Sequence, residues 1–270
     1  MIGADTPITT LQYLLVYNVM SFTIAIMLAS GLFFLFARAY VLPRYHMGLY
    51  LSTLVVWIAA YHYYRIFLSW QGAYEPGTGE QAGLYLPTNE LFNDAYRYAD
   101  WLLTVPLLLT ELILVLGLSR ALTNNLIFKL VTASVLMLAL GYPGEISTDN
   151  VTRWFWGTLS TIPFVYILYV LWVELTRAMA NQPERVKILT RNMRLLLLGS
   201  WGFYPIAYLI PTLGLGEAVG IVGLQVGYSL ADILAKPVYG FLLYAIAREK
   251  TLADNPRFDE ERFGKTVTLT

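Results

Sequence analysis

Seven long apolar stretches, separated by short polar connections, run the length of the chain, at about 9–37, 48–70, 91–116, 124–141, 151–176, 188–211 and 218–247. Each is long enough, or nearly so, to cross a bilayer as a helix, which needs roughly 20 apolar residues. A membrane barrel would instead show segments of about ten residues with alternating polarity. The pattern predicts an all-α membrane protein, a bundle of seven transmembrane helices. One connection is longer than the rest. Residues 71–88, QGAYEPGTGEQAGLYLPT, are rich in Gly and Pro and have room for a small hairpin. No repeat or low-complexity tract divides the chain. Residues 1–250 therefore read as one seven-helix domain, and 251–270 as a C-terminal tail.

Composition agrees with a lipid-embedded chain. It is 57% hydrophobic, and only 13% of residues are charged, against roughly 25% in soluble domains. The net charge is zero, so no overall field favours nucleic acid. The lack of cysteine excludes disulfides and thiolate metal sites, and His46 and His62 are too isolated to form a metal cluster. The start, MIGADTPITTLQYLL, lacks a basic n-region and leads into an apolar run too long for a signal peptide, so it reads as a retained first span. Arginines and lysines crowd alternate connections: Arg38 and Arg44, Arg120 and Lys129, Arg177, Arg185, Lys187, Arg191 and Arg194, then Arg248, Lys250, Arg257, Arg262 and Lys265. The opposite connections hold Glu75, Glu80, Glu145, Asp149 and Glu217, with Arg153 the single cation. The bias of cations toward the cytoplasm places the N-terminus outside and the C-terminus inside. Asn150-Val151-Thr152 matches a glycosylation sequon, but in so short a loop chance explains it better.

A few charges fall inside the spans, where each costs roughly 2.5–3.5 kcal/mol on insertion scales. On the seventh, Asp232 and Lys236 are four residues apart and share a face. A buried lysine beside a carboxylate is either a structural ion pair or an amine for Schiff-base chemistry, and this helix alone does not choose. The third span, RYADWLLTVPLLLTE, is more informative. At 100° per residue, Thr104 lies about 40° from Asp100, Arg97 about 60° the other way, and Glu111 about 20° away after three turns. One polar stripe on an otherwise apolar helix must face the bundle interior. In depth the predicted order from outside is Arg97, the carboxylates Asp100 and Asp232, Lys236, and then Glu111, roughly 16 Å beyond Asp100. A network that only specifies packing does not explain so remote a glutamate; a proton path does. Arg65 and His62 add polar groups to the second span, and Glu174 sits where it can snorkel.

These residues resemble a family. RYADWLLTVPLLLTE is similar to the third helix of microbial (type 1) rhodopsins, SLADILAKPVYG to their retinal-binding seventh helix, and WGFYPIAYLIP at 201–211 to the sixth. The resemblance spans all seven segments and is nearest to bacterial proton pumps of the proteorhodopsin and xanthorhodopsin type. It implies all-trans-retinal bound to Lys236 as a protonated Schiff base. Asp100 would be counterion and proton acceptor, Asp232 second counterion, Thr104 a hydrogen-bond donor to the acceptor, Glu111 the cytoplasmic proton donor and Arg97 the arginine beside the Schiff base. Trp101, Trp201 and Tyr204 would stack on the chromophore, with Met137, Gly141, Ser160 and Pro205 lining its pocket. In YHYY, His62 stands where proteorhodopsins set a histidine against the acceptor, which would tune it according to the histidine's own charge.

Gly157 stands where xanthorhodopsin-like pumps have a glycine that opens the bundle wall to a carotenoid antenna; helix packing is the plainer role for a small residue. Departures occur at Tyr208 and Val105, where bacteriorhodopsin has Trp and Thr. Only Glu217 is available for a paired release group. The resemblance further implies a multi-pass protein of the bacterial inner membrane, a trimer or pentamer in the bilayer. It would be a light-driven outward proton pump rather than an enzyme. The alternative is a photosensor signalling to a partner, against which Glu111 argues. Chloride and sodium pumping are disfavoured by the carboxylates at Asp100 and Glu111. A seven-helix transporter without retinal, with Lys236 in a plain ion pair, is the third possibility.

Overall fold

The computed structural model of the chain describes residues 6–93, 95–147, 149–209 and 217–264. Among them are seven long helices: α1 Thr10–Ala37, α2 His46–Ala73, α3 Tyr96–Val115, α4 Arg120–Glu145, α5 Asn150–Ala178, α6 Glu184–Leu209 and α7 Ala218–Asp254. A short α8, Phe258–Phe263, follows. Their apolar faces turn outward, as a lipid solvent requires: Phe22, Phe36, Phe128, Phe155 and Ile162 are all exposed. The buried polar side chains collect at the bundle axis instead.

Capping fixes two helix starts. Thr9 and Gln12 form a reciprocal capping box at α1, and Asp149 accepts from Thr152 N at 2.8 Å and Thr152 Oγ1 at 2.6 Å at α5. The threonine of the apparent sequon is thus held in this cap. The long connection does form a hairpin, β2 Tyr74–Pro76 with β3 Leu84–Pro87, paired antiparallel. Gly79 and Gly83 take positive φ in its turn (61° and 93°), which glycine adopts without steric cost. A third strand went unanticipated: β1 Ile8–Thr9 adds to β3, giving the order β1-β3-β2. The Tyr13 ring stacks on Tyr85 at 3.8 Å between centroids and pins this sheet to α1.

Neighbouring helices pack in sequence from α1 to α5, and α7 closes the ring against α1, α2 and α6. Helix α5 is tied to α6 near its start, where Arg153 donates to Tyr208 O at 2.8 Å and Tyr208 Oη donates to Arg153 O at 2.8 Å. Two helices carry π-turns, at Val170–Glu174 in α5 and Leu234–Val238 in α7. In α7 the cause is local: Pro237 has no N–H to give the preceding turn, so the helix widens where Lys236 sits. Helix α6 begins earlier than its apolar run, at Glu184. Arg191 and Arg194 therefore lie inside a helix rather than in a connection. Arg194 is buried and donates to Leu171 O at 2.8 Å and Thr176 Oγ1 at 2.6 Å, beside the π-turn of α5. Glu174 pairs with Lys129 at 2.7 Å. Lys265 and the Glu217 side chain lie outside the described residues.

Candidate functional site

Lys236 is 2% exposed and faces two carboxylates. Its Nζ lies 3.0 Å from Asp100 Oδ2 on α3 and is hydrogen-bonded to Asp232 Oδ1 on its own helix. The two acids are held very differently. Asp232 accepts from Tyr63 Oη and Tyr204 Oη, each at 2.7 Å, and Arg97 Nη1 stands 3.9 Å from its Oδ2. Arg97 also donates to Tyr63 Oη at 3.0 Å and to Gln225 Oε1 at 2.6 Å, and lies over the Tyr63 and Tyr228 rings. Asp100 has Lys236 on one oxygen, while the other accepts no hydrogen bond among the described residues. A carboxylate gripped by several donors keeps its charge; one facing a single cation can accept that cation's proton.

His62 Nδ1 is 3.8 Å from Asp100 Oδ1, so the two helices do bring them together. The contact is not a hydrogen bond, because Nδ1 pairs with the Ile58 carbonyl at 2.9 Å. A carbonyl only accepts, so Nδ1 carries the proton and acts on Asp100 through space. Thr104 differs from expectation. Its hydroxyl donates to the Asp100 backbone carbonyl at 2.9 Å rather than to the carboxylate. The preceding turn's carbonyl is the nearest acceptor for a threonine within a helix.

Glu111 is fully buried at the other end of α3's polar stripe. Its Oε2 accepts from Ser52 Oγ at 3.0 Å, and its Oε1 has no hydrogen-bond partner among the described residues. Leu108, Leu109 and Leu112, its neighbours on α3, are all buried too.

A cavity of about 210 Å³ runs from Lys236 toward α5. Trp101, Trp201, Tyr204, Met137, Gly141, Ser160, Pro205 and Gly157 all line it. Trp101 meets Tyr204 edge-on, centroids 4.9 Å apart. Lined by rings and aliphatic groups, with the amine at its end and two acids to hold a cation there, the cavity fits a long apolar chromophore attached at Nζ. At its far end, the exposed Trp154, Thr158 and Thr161 of α5 also line it, so it reaches the lipid-facing surface. Gly157 is not simply a gap. A Cβ there would come within 2.9 Å of the Tyr208 ring, which packs against it.

Several site residues went unnoticed in the sequence: Tyr63, Ser52, Gln225 and Tyr228. The signal was available for three of them. Ser52 and Tyr63 are eleven residues apart and Gln225 and Asp232 seven, each pair within about 20° on a helix. The stripe argument applied to α3 would have found them on α2 and α7. Tyr228 contributes mainly a ring, which periodicity cannot separate from core packing.

Fold and site together define a class: a seven-helix membrane bundle in which an interior lysine, set between two carboxylates, closes one end of an aromatic cavity. Residues 15–250 match the family model described as "Bacteriorhodopsin-like protein", and the chain belongs to that family. It is 30% identical to the green-light absorbing proteorhodopsin of Gamma-proteobacterium EBAC31A08 over 224 residues, 83% of this chain and 82% of that protein. Among solved structures, thermophilic rhodopsin superposes with a TM-score of 0.89 at 59% identity, over 92% of this chain and 98% of its own. Xanthorhodopsin, described as a light-driven ion pump with dual chromophore, superposes at 0.87 with 52% identity over the same shares. The chain is thus a microbial rhodopsin of the light-driven pump family, a membrane transporter whose family implies retinal on the interior lysine.

Proposed function

We propose that the protein is a light-driven outward proton pump of a bacterial inner membrane, with all-trans-retinal on Lys236. The observation that carries this reading is the placement of two acids on opposite sides of one amine. Asp100 Oδ2 is 3.0 Å from Lys236 Nζ, while Glu111 sits alone, eleven residues or about 16 Å along α3. When bound, the retinal supplies light absorption and a light-driven change of shape at Nζ. Trp101, Trp201, Tyr204 and Met137 hold it and keep water from the cavity. Asp232, fixed by Tyr63, Tyr204 and Arg97, remains the standing anion. Asp100 takes the proton from Nζ, and His62 Nδ1–H stabilises its charge between turnovers. Glu111, held by Ser52 among leucines, stores a proton and returns it to Nζ. Cations cluster at the Glu111 end of the bundle (Arg38, Arg44, Arg177, Arg185, Lys187, Arg248), which supports a cytoplasmic position for that end. Protons then leave past Arg97.

Illumination of cells expressing the protein in unbuffered medium, with retinal supplied, tests this. The medium should acidify, and an uncoupler should abolish the change. Colour without a pH change would mark a sensor. Failure to take up colour would leave Lys236 in a plain ion pair.

The cavity's reach past Gly157 to the exposed Trp154, Thr158 and Thr161 supports a second ligand, a carotenoid antenna lying along α5. A fitting carotenoid should add its own bands to the excitation spectrum for pumping, and Gly157→Trp should remove them. Association into a trimer or pentamer is expected in lipid, to be read by crosslinking in membranes.

A further inference from the structure

Glu111 and Lys236 cannot exchange a proton directly. Some 16 Å of α3 separate Glu111 from the acid beside Lys236, and one hydrogen bond spans about 2.8 Å between oxygens. Several linked oxygens must bridge the gap, yet beyond Thr104, whose hydroxyl is taken by the Asp100 carbonyl, this face of α3 offers Leu108. One polar side chain of α7 enters this layer. Tyr239 is fully buried, three residues past Lys236 toward the Glu111 end, and its hydroxyl donates to the Leu108 carbonyl at 2.8 Å. Leu108 is one turn from Glu111, and the Tyr239 hydroxyl lies within electrostatic reach of that carboxyl. The side chain thus stands between donor and recipient. A leucine or phenylalanine would have filled the same space without placing an oxygen in an apolar layer. A phenol oxygen accepts as well as donates, so while its O–H donates to the Leu108 carbonyl it retains acceptor capacity.

We propose that Tyr239 is the relay through which Glu111 returns a proton to Lys236; this rests on the donor role given to Glu111 above. The O–H bond of Glu111 breaks and its proton passes, by a water, to Tyr239 Oη. The tyrosine's own O–H bond breaks as the new one forms, and its proton, released from the hydrogen bond to Leu108 O, passes by a second water to Lys236 Nζ, forming the N–H bond. Tyr239 ends the step with one proton, as it began, and the only net change is one proton moved from carboxyl to amine.

The experiment compares Tyr239→Phe, Glu111→Gln and the parent by flash photolysis in lipid, following return of the proton to Lys236 optically and the Glu111 carboxyl band by infrared. Tyr239→Phe should slow the return about tenfold, less than the roughly hundredfold or more expected for loss of a group in direct proton transfer, because waters substitute in part. The Glu111 band should be present in the dark and vanish later than in the parent. Azide, a small diffusible weak acid that carries protons past the gap, should restore the rate. A Phe variant at the parental rate, with Glu111→Gln slow, overturns the relay and leaves the donor standing. A parental rate in Glu111→Gln brings down the donor reading itself, and the relay with it. Slowing that azide does not relieve means Tyr239 only clamps α7 to α3, which also overturns the relay. If the Phe variant does not accumulate, fluorotyrosine at 239 keeps the shape and acidifies the hydroxyl; an unchanged rate then counts against it.

Discussion

The two halves of the bundle interior, on either side of Lys236, are built on opposite principles. Toward Arg97 the space is filled with hydrogen bonds: Tyr63, Tyr204, Gln225 and Arg97 knit α2, α3, α6 and α7 around Asp232. Toward Glu111 the carboxyl has a single hydrogen-bond partner among the described residues, Ser52; Tyr239 donates to a main-chain carbonyl, and the buried threonines Thr53 and Thr190 turn to carbonyls of their own helices. A dense, satisfied polar network holds charge in place. A dry half with a single acid conducts only when something opens it. Under the proposed function, that difference gives the transport its direction: a proton released from Lys236 would find a neighbour on one side and a barrier on the other.

Three substitutions break the comparison at graded cost. Asp100→Asn removes the acceptor from the polar half. Transport should fall to background, a loss of at least about a hundredfold for a group in direct proton transfer, measured as the light-induced pH change. Tyr63→Phe leaves Asp232 and Arg97 each one partner short within a buried network. It should destabilise the dark protein by about 1–3 kcal/mol, read by thermal unfolding, while Asp100 still takes the proton. Ser52→Ala acts in the dry half and should be mildest, changing the rate of proton return severalfold for about 1 kcal/mol of lost hydrogen bond. The Glu111 carboxyl stretch should rise in frequency as that bond disappears. Equal effects from the Tyr63 and Ser52 variants on proton return would erase the distinction between the halves.

Much of this was legible in the sequence because lipid enforces a simple rule: polar residues in a span must face inward. The stripe Arg97, Asp100, Thr104, Glu111 on α3, and the pair Asp232 and Lys236 on α7, followed from helical spacing alone. The structure brings Asp100 to Lys236 across two helices, as the expected depths required. Spacing could not show where a hydroxyl turns. Thr104 chose its own helix's carbonyl over the Asp100 carboxylate, a local competition invisible in the order of residues. Nor could it show that the ring of Tyr208 lies against Gly157, since that contact joins α5 to α6. The β1 strand was hidden for another reason: two residues paired to a distant hairpin leave no periodic trace.

Time-resolved infrared spectroscopy in lipid tests the central claim most directly, with Asp100→Asn and Glu111→Gln used to assign the carboxyl bands. After a flash, Asp100 should gain a proton first, and Glu111 should lose one only later, as Lys236 recovers its own. Loss from Glu111 before Asp100 is protonated, or a cycle in which neither band moves, would contradict an outward pump built on these two acids.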